Sequence, residues 1–592
     1  MKDFLKYTLA TVVGIIVAGI VLFFVGLGLL FNSAAADSSD THVERGTVVR
    51  LDLSGTLAER DPGSPLLAWL LGDDLGTIGL DDVLATIRKA RDNDRIVGIY
   101  LRPSLSAGYA SLREIREALL DFRRSGKFVV AYADIYTQRN YYLASAADRI
   151  LLNPQGMIEW KGLSGSPMYY KDLLQKIGVE MQVFKVGTYK SAVEPYLAND
   201  ISPASREQIT VYQQSLWRQM LDDIAASRHL TTAELDQAAE RMMVLREATE
   251  CLDRHLADTL VYESDVKACL KVLAGLDEDA TLPMLTLAEM KGVKRAVPKD
   301  KSGNIIAVYY AEGEIVSEAS SLLPLLSGND PVILASKVVK DLDRLRRDKD
   351  VRAVVLRINS PGGSAYSAEQ IWHAVEQLKA EKPVVVSMGD VAASGGYYIA
   401  AGADCILAEP NTLTGSIGIY GMFPNLKGLN DLVGLHYATV KTHPLADFED
   451  YNRPMTDTEK AIFQNYIEHG YELFLSRCCA GRGMDRDAMD RIAQGRVWAG
   501  SMALELGLVD ELGGLDRAIE KAVALADVEG YTLLSYPEPE SLMEQVYRLT
   551  GNTIRARTAH PFALMRQQIE AWRRADVREW VQARLPFELD MN

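Results

Sequence analysis

The chain has 592 residues, 48% of them apolar, and a formal net charge of −16. That length exceeds one ordinary domain and the apolar share supports a real core. The acidic balance argues against a nucleic-acid partner, because a protein that tracks phosphates needs a basic face. The five cysteines (Cys251, Cys269, Cys405, Cys478 and Cys479) are odd in number and scattered. They suggest neither a disulfide framework nor zinc spacing, and neither metal nor cofactor is expected.

In chain order, the first predicted element is an apolar helix. Residues 8–31, TLATVVGIIVAGIVLFFVGLGLLF, carry no charge. Twenty-four residues at 1.5 Å each span about 36 Å, enough for the ~30 Å hydrocarbon core with some tilt. A cleavable signal peptide has an h-region of only about 7–15 residues, so an uncleaved anchor is expected, although SAAAD at 33–37 offers a small-residue site. Lys2 and Lys6 precede the span, and Asp37 and Asp40 follow it. The positive-inside rule keeps residues 1–7 in the cytoplasm and exports the rest.

Next comes an internal duplication. DIYTQRNYYLASAADRIL (134–151) matches DVAASGGYYIAAGADCIL (390–407) at an offset of 256. A period this long marks a duplicated domain. In the first copy, IVGIYLR and KFVVAYA read as buried strands around the helical SLREIREALLDFRRSG. In the second, VRAVVLRIN and KPVVVSM flank SAEQIWHAVEQLKAE. Each is a strand–helix–strand crossover of an α/β fold. A long helix then opens in each copy, behind capping boxes read at Ser205/Gln208 and Thr456/Glu459. The polar stretch 289–304 is the expected linker, and the charge run 341–350 reads as a solvated helix face. The tail from about 555 contains the arginine-rich MRQQIEAWRRADVREWVQARL, read as an amphipathic helix for packing, oligomerisation or a membrane surface.

Each copy acts as a control for the other. Ser394 in VAASGGYY faces Gln138, and Gly395 and Gly396 face Arg139 and Asn140. INSPGGS (358–364) faces RPSLSAGYAS, which has no paired glycines. Conversely KVGTYKSAVEP (185–195) faces KTHPLADFEDY, so Lys190 faces Ala446. Complementary losses point to one composite site. Acyl transfer needs a nucleophile, a base and oxyanion donors. Ser394 at a strand-to-helix turn suits the first role, and amides of the PGG glycines and Gly395 suit the third. The base stays open between His443 and Lys190. A lysine acts as a base only when desolvated. His373 and His436 read as structural, in a helix and on an apolar run.

The motifs YKSAVEP, INSPGGS, AASGGYY and TGSIG, in that order, resemble the S49 family of serine peptidases in its long, duplicated, signal-peptide-peptidase form. The resemblance runs from the apolar span to about residue 535. It implies an α/β fold of tandem duplicated Clp protease/crotonase-like domains behind a transmembrane helix. The lysine domain would occupy 46–290, the serine domain 304–535 and a helical tail 540–592. It places the nucleophile on Ser394, the base on Lys190, the oxyanion donors on Gly363 and Gly395, and a lysine-positioning hydroxyl on Ser416. It also implies a homotetramer in the inner (cytoplasmic) membrane, with its domains on the periplasmic side, degrading cleaved signal peptides and other apolar peptides. Other readings are a Ser–His hydrolase, a non-enzymatic membrane scaffold and a crotonase-type acyl-CoA enzyme. An exported location argues against the last, since CoA is cytosolic.

Overall fold

The computed structural model describes residues 14, 41–61, 76–294, 300–317, 331–538 and 581–585. The expected membrane span at 8–31, the expected cytoplasmic N-terminus and most of the tail lie outside the described residues. Among those described, no helix is long and apolar enough to cross a membrane.

Both copies fold as predicted. In the first, β1 (Thr47–Ala58), β2 (Ile96–Ser106), β3 (Phe128–Tyr136) and β4 (Arg149–Ile158) form a parallel sheet in that order. The crossover helix α1 (Tyr109–Arg124) joins β2 to β3, and α2 (Gln138–Ala144) follows β3. The strands carry long apolar runs because both faces are covered. β5 (Glu180–Lys185) and the long helix α3 (Pro203–Arg228) follow.

In the second copy, β6 (Ile305–Glu312) and β7 (Val351–Ser360) flank α4 (Ala335–Arg347), which carries most of the charge run. Then come β8 (Gly362–Ser364), α5 (Ala365–Lys379), β9 (Val384–Ala393) and α6 (Gly395–Ala400). β10 (Leu413–Gly415), β11 (Tyr420–Asn425), α7 (Asp457–Arg482), β12 (Val497–Ala499), α8 (Leu515–Ala526) and β13 (Thr532–Tyr536) complete it. The sheet order is β12-β10-β9-β7-β6-β13.

The duplication is visible in equivalent hydrogen bonds. Tyr141 donates to Leu256 O at 3.0 Å, and Tyr397, its counterpart, to Leu508 O at 2.9 Å. Asp148 accepts from Val129 N, and Asp404 from Val384 N, both at 2.8 Å. The shared tyrosines and aspartates are therefore scaffold.

The two halves interlock. Arg357 of β7 is fully buried and pairs with Glu59 at 2.8 Å and Glu114 at 2.6 Å, both from the first half. Removing one partner of such a network strands a buried charge, typically a loss of about 3–5 kcal/mol. Asp390 accepts from Ser111 N (3.0 Å) and Oγ (2.5 Å) across the same boundary. A third sheet also crosses it: β5 of the first half pairs antiparallel with β11 of the second.

Two expectations need correction. Thr456 and Glu459 form the expected capping box. Ser205 and Gln208 do not: α3 is capped one residue before Pro203, by Ser202, whose hydroxyl accepts from Ser205 N. Gln208 is used elsewhere, as described below. The tail is not helical throughout, because Val581–Arg584 forms a strand, β14. It lies between β8 and β11 and pairs antiparallel with both, so its backbone groups find partners on two sides.

Candidate active site

Ser394 sits where β9 ends and α6 begins. Its backbone has φ 55° and ψ −113°, a strained conformation for a residue with a Cβ. The strain is fixed locally: Ser394 N donates to Gly415 O at 2.8 Å, and Ser394 O accepts from Tyr398 N at 2.8 Å. This sharp strand-to-helix turn presents Oγ at the C-terminal end of the sheet, as a nucleophile turn does.

Lys190 arrives from the other half. Its Nζ lies 2.7 Å from Ser394 Oγ, 3.0 Å from Ser416 Oγ and 3.1 Å from Ser416 O. All three residues are fully buried. Burial pushes the Lys190 amine well below the ordinary lysine pKa. A neutral amine has two N–H groups and one lone pair. The two Ser416 oxygens suit the N–H groups, which leaves the lone pair facing the Ser394 hydroxyl. Ser416 is itself held at φ 51°, with its N donating to Arg496 O at 2.6 Å.

The loop that carries Lys190 is moored to the second half by residues that the sequence reading missed. Gln208 Nε2 donates to Tyr189 O (3.0 Å) and Ser191 Oγ (3.1 Å), while its Oε1 accepts from Val497 N (3.2 Å). Tyr189 N donates to Gln494 O at 2.9 Å, and the Arg496 guanidinium lies 4.7 Å from the Tyr189 ring centroid. Gly495 lets the two backbones touch: a Cβ there would lie 2.6 Å from Lys190 Cβ, and its φ of +76° disfavours other residues.

The two expected oxyanion donors also meet. A Cβ built on Gly395 would lie 3.2 Å from Gly363 N, and one on Gly362 would lie 2.8 Å from Gly395 N. The chain at Gly362 takes φ +100°, which favours glycine, so PGG follows from backbone geometry. The structure thus brings Ser394, Lys190, Ser416, Gly363 and Gly395 together.

The histidines stand apart. His443 is exposed and bonded to Thr442 Oγ1, whereas Ser394 is buried. His373, His436 and His469 are exposed too; for His436 this departs from the apolar-run reading, since its segment leaves the sheet. In the first copy the position equivalent to Ser394 is filled differently. Gln138 Oε1 accepts from Lys161 N (3.2 Å) and Gly162 N (3.0 Å), closing that site with an amide. Among the described residues, no His/Cys/Asp/Glu group could hold a metal.

Comparison with known proteins agrees with this duplicated geometry. The Peptidase family S49 model matches residues 121–277 and 376–529. The chain belongs to peptidase family S49. A Clp protease model matches residues 326–412, in keeping with a Clp protease-like α/β fold. Protease 4 of Salmonella typhi is 35% identical, over 91% of this chain and 87% of its own. The chloroplastic serine protease SPPA of Arabidopsis thaliana is 30% identical, over 86% and 74%. A putative signal peptide peptidase SppA of Enterococcus faecium is 35% identical over 33% of this chain and 57% of its own.

A buried lysine whose pKa is held down has a thermodynamic signature. Below the ordinary lysine pKa the unfolded chain binds a proton at Lys190 that the folded chain does not, until the pH falls to the depressed folded value. Lys190 therefore makes stability rise with pH across that window. Lys190→Met is expected to raise the unfolding temperature at neutral pH, and by less as the pH approaches about 10. Thermal unfolding of both proteins across pH checks this; a pH-independent difference would contradict it.

Proposed function

We propose that this S49 peptidase is a membrane-anchored serine endopeptidase with a Ser394–Lys190 dyad. In this reading it degrades cleaved signal peptides and other apolar peptides on the extracytoplasmic side of the cytoplasmic membrane. The observation that carries the dyad is the 2.7 Å contact between Lys190 Nζ and Ser394 Oγ, in a fully buried setting.

The mechanism follows from the residues. Lys190, neutral at the pH of action, takes the Ser394 proton as Oγ adds to the scissile carbonyl carbon. The developing oxyanion meets the amides of Gly363 and Gly395, each such donor being worth about 2.7–4 kcal/mol in favourable cases. Lys190 then returns the proton to the leaving amine, and water hydrolyses the ester. Ser416 keeps the amine aimed and touches no substrate, so it is a positioning residue. The exposed His443 gives the Ser–His alternative no support. The uncharged stretch at 8–31 and the names of the SPPA and SppA relatives support the membrane and signal-peptide parts of the reading.

Ser394→Ala and Lys190→Ala are each expected to lower hydrolysis of an apolar peptide by at least about 10³-fold while leaving the circular dichroism spectrum unchanged. A serine-directed fluorophosphonate should label Ser394 in the wild type. Near-normal turnover by Lys190→Ala would refute the dyad.

The homotetramer has a structural argument. β5 and β11 pair within the chain, from Lys185 opposite Tyr420 to Glu180 opposite Asn425. The 256-residue offset maps that pair onto 436–441 and 164–169. Both segments are largely exposed and in no strand, and Val440 and Met168 are 97% and 68% exposed. A neighbouring chain can supply the missing pairing head-to-tail, and a closed ring results if the rotation closes. Light scattering of the wild type should give about four times the chain mass, and Val440→Asp with Met168→Asp should reduce it to one chain. A wild-type monomer would contradict this reading.

A further inference from the structure

The carboxamide of Gln208 is buried between the two halves. It projects from α3 toward the loop that carries Lys190, and each of its polar atoms has a partner there. Nε2 donates to Tyr189 O at 3.0 Å and to Ser191 Oγ at 3.1 Å, the residues on either side of Lys190. Oε1 accepts from Val497 N at 3.2 Å. These partners fix which way the amide points, because a backbone carbonyl only accepts and a backbone N–H only donates. One turn earlier on the same helix face, Ser205 Oγ donates to Ser191 Oγ at 3.2 Å.

The N–H of Val497 and the C=O of Arg496 belong to one planar peptide unit. Arg496 O accepts from Ser416 N at 2.6 Å. In a trans unit the C=O and N–H point to opposite sides, so Ser416 and Gln208 are tied to opposite sides of one rigid plane. Gln208 joins that plane to Tyr189 O through a second planar group, its own carboxamide. Two rigid units in series therefore link Ser416, whose oxygens lie 3.0 and 3.1 Å from Lys190 Nζ, to the backbone beside Lys190. Arg496 braces the same unit: its guanidinium lies 4.7 Å from the ring centroid of Tyr189 and 4.5 Å from that of Trp498, and it pairs with Glu207 at 2.9 Å. Lys185 Nζ also reaches Lys190 O, at 3.3 Å, but from a half-buried position.

We propose that Gln208 is a positioning residue for the reaction: its carboxamide sets Lys190 Nζ against Ser394 Oγ and Ser416 by tying both flanks of Lys190 to the Arg496–Val497 peptide. The inference rests on the Ser394–Lys190 reading and adds to it the group that aims the base. Gln208 itself moves no proton. A glutamate of the same size does not replace it. Its carboxylate keeps the Val497 N–H but sets acceptor against acceptor at Tyr189 O. It also brings an anion toward an amine whose lowered pKa comes from burial alone. An apolar side chain of the same length frees the loop, and water reaching Lys190 lifts the amine back toward the ordinary lysine value. Glutamine supplies two donors and an acceptor without a charge.

The test is the kinetics of the full chain, Gln208→Met and Gln208→Glu on an apolar peptide across pH, with active sites counted by exhaustive fluorophosphonate labelling of Ser394. Counting labelled sites keeps the comparison valid where a variant folds poorly. Each variant should show kcat per labelled site lower by about 10- to 100-fold, with KM within about two-fold of the wild type. The acid limb of its kcat/KM profile, set by Lys190, should move up by about one pH unit or more. A purely structural role would leave fewer labelled sites, each with wild-type turnover and an unmoved limb, and that result would overturn the inference while the dyad stands. An acid limb that stays in place in both variants would overturn it whatever the turnover. A wild type that hydrolyses the peptide without labelling at Ser394 would overturn the Ser–Lys reading and this inference together.

Discussion

Burial without a carboxylate beside it disfavours the charged form of an ammonium group, and the site follows from that constraint. Lys190 is sealed among Ser394, Ser416 and the glycine backbone around Gly418 and Gly495. With no anion to repay desolvation, burial holds the amine well below the ordinary lysine pKa. A histidine needs no such enclosure, because its ordinary pKa already lies near neutrality. A lysine base requires the opposite arrangement: a dry pocket closed from all sides, with acceptors for both N–H groups.

That requirement explains why the halves are locked together. The pocket walls come from loops far apart in the chain. Lys190 and Gln208 belong to the first copy; Ser394, Ser416 and the 494–497 segment belong to the second. A shift of about 1 Å between copies would break the Nζ–Oγ contact. The Arg357–Glu59–Glu114 cluster and the β5–β11 pairing oppose such a shift with buried charges and a backbone ladder. Duplication followed by complementary loss thus turned two copies of one domain into two parts of one site. Gln138, the counterpart of Ser394, ties down the Lys161–Gly162 turn instead.

Much of this was legible in the sequence because the repeat supplied an internal control. Ser394, Lys190 and the PGG turn stand out where the copies disagree, and Tyr141 and Tyr397 where they agree. The crossovers were equally readable, since their strands are continuous apolar runs. Gln208 was misread because a glutamine three residues after a serine imitates a capping box; its contacts to Tyr189 and Val497 are tertiary and leave no local pattern. Gly495 was missed for the same reason. β14 did leave a trace: VQARL alternates apolar and polar residues, but the arginine-rich sequence before it reads as helical, and pairing with β8 and β11 decided the outcome.

Lys190 is expected to be uncharged in the folded protein at neutral pH. This is tested most directly by NMR of the lysine side chains, with Lys190→Met used to assign the Lys190 signal. The expected signal is that of a neutral amine at pH 7, which takes up its proton only when the pH falls well below the ordinary lysine value. An ammonium signal for Lys190 that persists up to about pH 10, where a free lysine titrates, would contradict it.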